Sequence, residues 1–219
     1  MTGGALLVVC ALGPEVWALR GGDWSEAAGG PPVLARTGVG RSRARRVVGE
    51  LLARDGYGAL VVAGFGAAVG PGVRPADVIV ADAVRDAEGN HYPLDSAKQL
   101  ARVLQARGLT THTGLHHTAD HVVRGVERRA LNSRGALAVD MEAAAVLAAR
   151  AELRPWLPAA VLRVVVDTPD HELIRPGTLP AGLRAWRTLR AAVPALTAWH
   201  RQAAAALESL PSTLPQEAS

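Results

Sequence analysis

Three short runs made almost wholly of alanine, valine, leucine and cysteine or arginine exceptions limit what this chain can fold into: Ala5–Leu12, Ala59–Ala63 and Ala159–Val166. A strand with one wet face alternates apolar and polar residues. A nearly continuous apolar strand needs cover on both faces, which is the setting of strands in a parallel sheet packed between helices. Between the first two runs, Arg41–Arg54 brings Val47, Val48, Leu51 and Leu52 round at helical spacing. Asp77–Ala81 predicts a further strand, entered through the turn Pro71-Gly72-Val73-Arg74-Pro75. Met141–Ala151 is alanine-rich and predicts a helix. Leu179–Leu207 predicts an amphipathic helix kinked at Pro194, with Leu183, Trp186, Val193, Leu196 and Trp199 apolar and Arg184, Arg187 and Arg201 elsewhere on the wheel. Strands alternating with helices predict an α/β fold, a three-layer sandwich with a mixed, largely parallel central sheet flanked by helices.

The 219 residues suit one domain over residues 1–210, with Gly21–Pro32 a loop inside it and 211–219 a frayed polar tail. Cys10 is the only cysteine, so no internal disulfide can form, and a reducing cytoplasm is the expected location. No basic stretch precedes Ala5–Leu12, which argues for a strand there and not a leader, and no apolar run approaches the roughly 20 residues of a membrane span. The pI near 10.1 suggests nucleic acid at first sight. Of 24 basic residues, however, only Lys98 is lysine, a bias expected of a GC-rich genome. The densest basic cluster, Arg41-Ser42-Arg43-Ala44-Arg45-Arg46, has no aromatic neighbour to stack a base, so no nucleic-acid partner is expected.

Five segments in order carry the functional signal: Cys10-Ala11-Leu12-Gly13-Pro14-Glu15, Thr37-Gly38-Val39-Gly40-Arg41, Gly64-Phe65-Gly66-Ala67-Ala68-Val69 with Arg74-Pro75-Ala76-Asp77-Val78, Val139-Asp140-Met141-Glu142-Ala143-Ala144-Ala145, and Arg163-Val164-Val165-Val166-Asp167. Together they resemble the nucleoside phosphorylase and nucleosidase superfamily, which includes the methylthioadenosine/S-adenosylhomocysteine nucleosidases. The resemblance implies a phosphorylase/hydrolase-like fold and cleavage of the purine–ribose N-glycosidic bond. That reaction builds positive charge on the ribose and negative charge on the base. An acid for the base and a carboxylate for the sugar are what it needs.

By resemblance, Asp167 protonates the base and has a pKa raised by burial, Glu15 activates water, and Arg163 orients the acids. Glu142 holds the ribose hydroxyls, Met141 packs on the sugar, and the backbone of Val123 reads the base edge. Phe65 and Gly66 stand in the G-S-A-G-G-L stretch, with Phe65 replacing its serine, and Val122 replaces a base-stacking aromatic. Phe65, Thr111-His112-Thr113-Gly114, Val164–Asp170 and Arg175-Pro176-Gly177-Thr178 resemble the hopanoid-associated phosphorylases, which implies a lipid-linked adenosine and inorganic phosphate as a possible co-substrate. Phosphate-binding arginines have no match: Val62 stands at one position, and Arg36 and Arg41 are nearby substitutes only. A homodimer with at most weak membrane contact is implied. Asp170 is expected on the surface. His112, His116, His117 and His121 fit no zinc spacing, and Val69 breaks the dinucleotide fingerprint that Gly64 and Gly66 begin, so neither a metal nor another cofactor is expected.

Overall fold

The computed structural model describes residues 4–54, 56–169 and 178–208. Asp170, Arg175-Pro176-Gly177 and the 211–219 tail, all singled out in the sequence, lie outside these. Among the described residues, eight strands and seven helices follow one another as β1 Ala5–Cys10, α1 Gly13–Arg20, β2 Val33–Arg36, α2 Arg41–Leu52, β3 Tyr57–Ala68, β4 Val78–Asp86, β5 His91–Pro93, α3 Ala97–Ala106, β6 Thr111–Thr118, α4 Gly125–Ser133, β7 Ala136–Asp140, α5 Ala143–Leu153, β8 Ala159–Asp167, α6 Thr178–Ala191 and α7 Val193–Glu208.

The three apolar runs form adjacent strands. β3 is flanked by β1 and β8, both parallel to it, and β2 lies parallel on the far side of β1. Their side chains alternate between two helical layers. Leu6, Val8 and Cys10 face the cluster that includes Ala18 and Leu19 of α1, Leu100 and Leu104 of α3, and Leu189, Val193, Leu196 and Trp199 of α6 and α7. Leu7 and Val9 face Val48 and Leu52 of α2 and Ala143–Leu147 of α5. The result is the predicted mixed, largely parallel sheet between helices.

The second half of the sheet curls. β3 pairs with β8, β8 with β4, β4 with β6, β6 with β7, and the end of β3 returns to β7 through Ala67 and Ala68, closing a ring of five strands. The ring sets Asp167 and Val139 on either side of Ala67. At this point the β3–β8 register shifts, so Gly66 opposes Val165 while Ala67 opposes Asp167.

Boundaries differ from expectation where local chemistry intervenes. β1 ends at Cys10, because the amides of Ala11 and Leu12 turn to bind Glu15. α5 begins at Ala143 and not at Met141, because Asp140 accepts from the amides of Glu142 and Ala143 and fixes the helix start there. The helix expected over Leu179–Leu207 is two helices meeting at Ala192, the break preceding Pro194, whose ring cannot continue a helical hydrogen-bond ladder. Of its apolar stripe, Val193, Leu196 and Trp199 are buried against the protein's own sheet, and Trp186 packs partly against it, whereas Leu183 is half exposed. Among the described residues no helix is long and apolar enough to cross a membrane.

Candidate active site

The parallel strands deliver their carboxyl ends, and the loops that follow, to one side of the sheet, where ligands of open α/β sheets bind. Glu15 arrives there in the first turn of α1, behind Gly13 and Pro14. Its Oε2 accepts from the amides of Ala11 (2.9 Å) and Leu12 (2.7 Å), and its Oε1 accepts from Phe65 (2.6 Å). Burial pushes its carboxyl above the ordinary range, against the opposing pull of Arg163 and these three N–H groups. A side chain at residue 64 would crowd the cluster: a Cβ would lie 2.4 Å from Glu15 Oε1 and 2.8 Å from Arg163 Nη1.

Arg163, fully buried on β8, is the centre of the cluster. Its Nε donates to Asp140 Oδ2 at 2.9 Å and its Nη2 makes a second, very short contact with the same oxygen. Burial alone would raise the pKa of Asp140, but Arg163 and His116 outweigh it and hold the carboxyl far below the usual range. Thr118 on β6 donates to Asp140 Oδ1 (2.8 Å) and accepts from Ala144 N (3.0 Å), tying β6, β7 and α5 together. Glu142 stands at the N-cap position of α5, and its carboxylate, not used to cap that helix, accepts from Gly40 N at 2.9 Å. Gly40 has φ of +105°, in the left-handed region that favours glycine, which is what turns that amide toward the carboxylate. Burial raises the Glu142 pKa, opposed by Arg163.

Asp167, at the end of β8, meets a residue that the sequence did not single out. Arg128 of α4 donates from Nη2 to Asp167 Oδ2 (2.7 Å) and from Nη1 toward Oδ1 (3.4 Å). The same Nη2 donates to the Val123 carbonyl at 3.3 Å. Asp167, expected to be an acid with its pKa raised by burial, is buried beside a cationic partner. The one sequence signal for Arg128 is its place three residues before Leu131, on the inward stripe of α4 where an apolar residue would otherwise stand.

The remaining candidates divide. Gly66 packs against Arg163, since a Cβ there would sit 3.0 Å from the Arg163 Cβ. Phe65 is partly buried against the core and contributes its amide to Glu15. Met141 is half-buried between Asp140 and Glu142. Val123 is buried, whereas Val122 is 61% exposed. Arg41, a substitute phosphate ligand by sequence, is forked on Glu88, with both contacts at 2.7 Å. Val62 is buried within β3. The histidines scatter: His112 pairs with Asp77, His116 lies buried 3.5 Å from Asp140, and His121 pairs with Asp120 and Glu127. Among the described residues no three metal-ligating side chains converge.

Three buried carboxylates (Glu15, Asp140 and Glu142) thus gather around Arg163, and a fourth, Asp167, four residues further along β8, is paired with the buried Arg128. When all are ionised the cluster carries a net charge of −2, which favours a cation forming among them.

The sequence profile of the Phosphorylase superfamily matches residues 16–179. No curated protein matches the sequence. Among solved structures, the 5′-methylthioadenosine/S-adenosyl homocysteine nucleosidase of Campylobacter jejuni has a TM-score of 0.74 at 14% identity, covering 91% of this chain and 100% of its own. A Helicobacter pylori MTAN mutant with 5′-methylthioadenosine in its active site has a TM-score of 0.71 at 13% identity, covering 91% and 99%. A futalosine hydrolase mutant of Helicobacter pylori has a TM-score of 0.71 at 14% identity, covering 90% and 98%. At such identities the structural likeness establishes the fold, and the profile match, spanning most of the chain, establishes the family: the chain belongs to the Phosphorylase superfamily.

Proposed function

We propose that the protein cleaves the N-glycosidic bond between purine and ribose in an adenosine modified at its 5′ carbon. The observation that carries this reading is the buried cluster itself, with acids and arginines grouped at the carboxyl ends of the sheet. Glu142 and Glu15 supply negative potential to a ribose turning cationic, and the Asp167–Arg128 pair stands ready for the departing base. The nucleosidase and futalosine hydrolase likenesses support the same class of reaction.

The 5′ substituent we propose is a lipid, as in a hopanoid-linked adenosine. Leu12, Val39, Val122 and Val126 are 39%, 47%, 61% and 73% exposed. They lie on or beside the segments that hold Glu15, Glu142 and Val123, so this end of the sheet carries an apolar rim suited to a hydrocarbon. The hydrolysis of methylthioadenosine or adenosylhomocysteine is the second reading, favoured by the structural likenesses.

Water is the nucleophile we propose. Arg41, Arg128 and Arg163 each face a carboxylate already, and a phosphate dianion would enter a negatively charged cluster. Glu15 keeps one acceptor position beyond its three amide bonds, enough to take a proton from water as its oxygen bonds to C1′. The test is adenine release from adenosylhopane, methylthioadenosine and adenosine, with and without inorganic phosphate. Free ribose sugar formed equally in phosphate-free buffer supports hydrolysis, and a ribose 1-phosphate product refutes it. No base release from any of the three overturns the function.

A further inference from the structure

We propose that the outward face of α6, with the neighbouring part of α1, docks on an anionic lipid membrane. Along α6, Leu183, Trp186, Arg187 and Arg190 recur at i, i+3, i+4 and i+7 and so form one stripe. Ala185 and Leu189 take the opposite side of the helix and are buried in the core. The stripe therefore faces outward, and Arg184 stands exposed beside it. Leu183 is half exposed, and Trp186 leans only partly on the core. On α1, which packs against α6, Trp17 is 69% exposed. Large apolar side chains left in water gain by being buried elsewhere.

Arginines stand between these apolar points. A groove of about 490 Å³ separates the stripe from the turn after α1, lined by Gly21, Gly22, Asp23, Trp186, Arg187 and Arg190. Arg190 lies over the Trp186 ring, 5.9 Å from its centroid, which keeps cation and indole together at the groove. The groove has room for a phosphodiester headgroup, with guanidinium donors at its wall.

Charge selects the partner. α6 has three arginines and no acid, and Arg20 at the end of α1 is exposed as well. Among the described residues none of these four arginines faces a carboxylate, whereas Arg41, Arg45 and Arg46 on α2 all do. The acids nearby are engaged: Asp23 accepts from Ser25 N, and Glu26 is paired with Arg201. Lipid phosphates answer the free arginines, and acyl chains answer Leu183 and the indoles. A bilayer interface offers the two at successive depths. A nucleic acid would supply phosphates and bases to stack, but nothing for Leu183. The face also adjoins the active site, since α1 opens at Glu15 and Trp17 lies two residues further on. Docking here brings the site to the membrane surface, whatever reaction it performs.

The experiment is co-sedimentation of the full chain, without substrate, with phosphatidylcholine vesicles lacking or containing phosphatidylglycerol. Wild type should bind only the anionic vesicles. Binding should fade between about 0.1 and about 1 M salt, as the screening length falls from about 10 to about 3 Å. Losing an arginine at an anionic surface costs about 5-fold, so Arg184→Gln/Arg187→Gln/Arg190→Gln should bind about 10²-fold more weakly. Arg43→Gln/Arg45→Gln/Arg46→Gln removes the same charge from α2, in the other helical layer, and should bind as wild type does. Trp17→Ser/Leu183→Ser should lose at least about 10-fold. In unmutated protein, anionic vesicles should shift tryptophan emission to the blue, and Trp17→Phe should remove much of that shift. No binding to anionic vesicles overturns the proposal. So does an equal loss in the α2 variant, which would make net charge the whole cause. Full vesicle binding by Trp17→Ser/Leu183→Ser, or tighter binding of wild type to single-stranded DNA than to vesicles, overturns it as well. Because no arm measures base release, failure here is distinct from failure of the proposed reaction.

Discussion

Glycine at residue 64 leaves room for a carboxylate and a guanidinium side by side, and filling that room is a direct test of the cluster. In Gly64→Ala the new methyl would lie 2.4 Å from Glu15 Oε1, where ordinary contact begins at 3.4 Å. The carboxylate must therefore retreat by about 1 Å. It has little freedom to do so, because three backbone amides grip it at 2.6–2.9 Å. Losing the Phe65 contact, a hydrogen bond to a charged group, costs about 1.5–3 kcal/mol. Forcing a methyl into a packed site costs about 1–3 kcal/mol more. At about 2–4 °C per kcal/mol for a chain of this size, the melting temperature should drop by at least about 5 °C. Base release should fall by about 10²-fold, the usual cost of misplacing a catalytic group by 1 Å. Calorimetry and a base-release assay on the purified variant read both effects. Gly49→Ala is the control: that glycine lies in α2 with nothing within 4 Å of a new Cβ, so it should be neutral or stabilising by up to about 1 kcal/mol. Wild-type stability in Gly64→Ala would refute the described grip on Glu15. Lost stability with full activity would remove Glu15 from the chemistry.

Three further outcomes follow from the same geometry. Asp167→Asn and Glu142→Gln should each lower base release by at least about 10²-fold in steady-state assays, and near-wild-type rates in both would dismiss these carboxylates. Arg163→Met should destabilise the protein by about 3–5 kcal/mol in urea unfolding, since it strips Asp140 of its partner inside the core. Burial raises the pKa of both Glu15 and Glu142 above the ordinary 4.5, so if they act as carboxylates the acid limb of kcat/KM lies above that value. Their share of stability has the opposite sense: the folded state holds their protons more tightly, so that share is full below 4.5 and lost as pH rises through the folded values. Unfolding titrations across this range should show the decline.

The strands that the sequence reveals are those buried on both faces. Val61, Val62, Val161 and Leu162 have no alternative to the core, and their runs are unmistakable. β6 is legible only in hindsight. Thr111–Thr118 contains three histidines and three threonines, and it forms a strand because the ring brings Thr118 within hydrogen-bond reach of Asp140 and sets His116 3.5 Å from the same carboxylate. β3 extends past Ala63 through Gly64 and Gly66, residues that normally weaken a strand, because the site needs close backbone approach there. Glu15, Glu142, Arg163 and Asp167 could be picked out through ordered motifs. Arg128 is harder to pick out, since its helical spacing to Leu131 is its one mark among so many arginines, and burial is what sets it apart.

The ring closure also bears on how the protein keeps its copies apart. Among the described strands, only β2 and β5 have a single neighbour. They are four and three residues long, and β5 ends in Pro93, which has no N–H to offer. Open sheet edges invite strands from another molecule, and short or proline-ended ones discourage them. The longer strands, the valine-rich ones among them, each have a neighbour on both sides. Among the described residues, the sheet therefore offers little open strand edge on which fibril-like stacking could start.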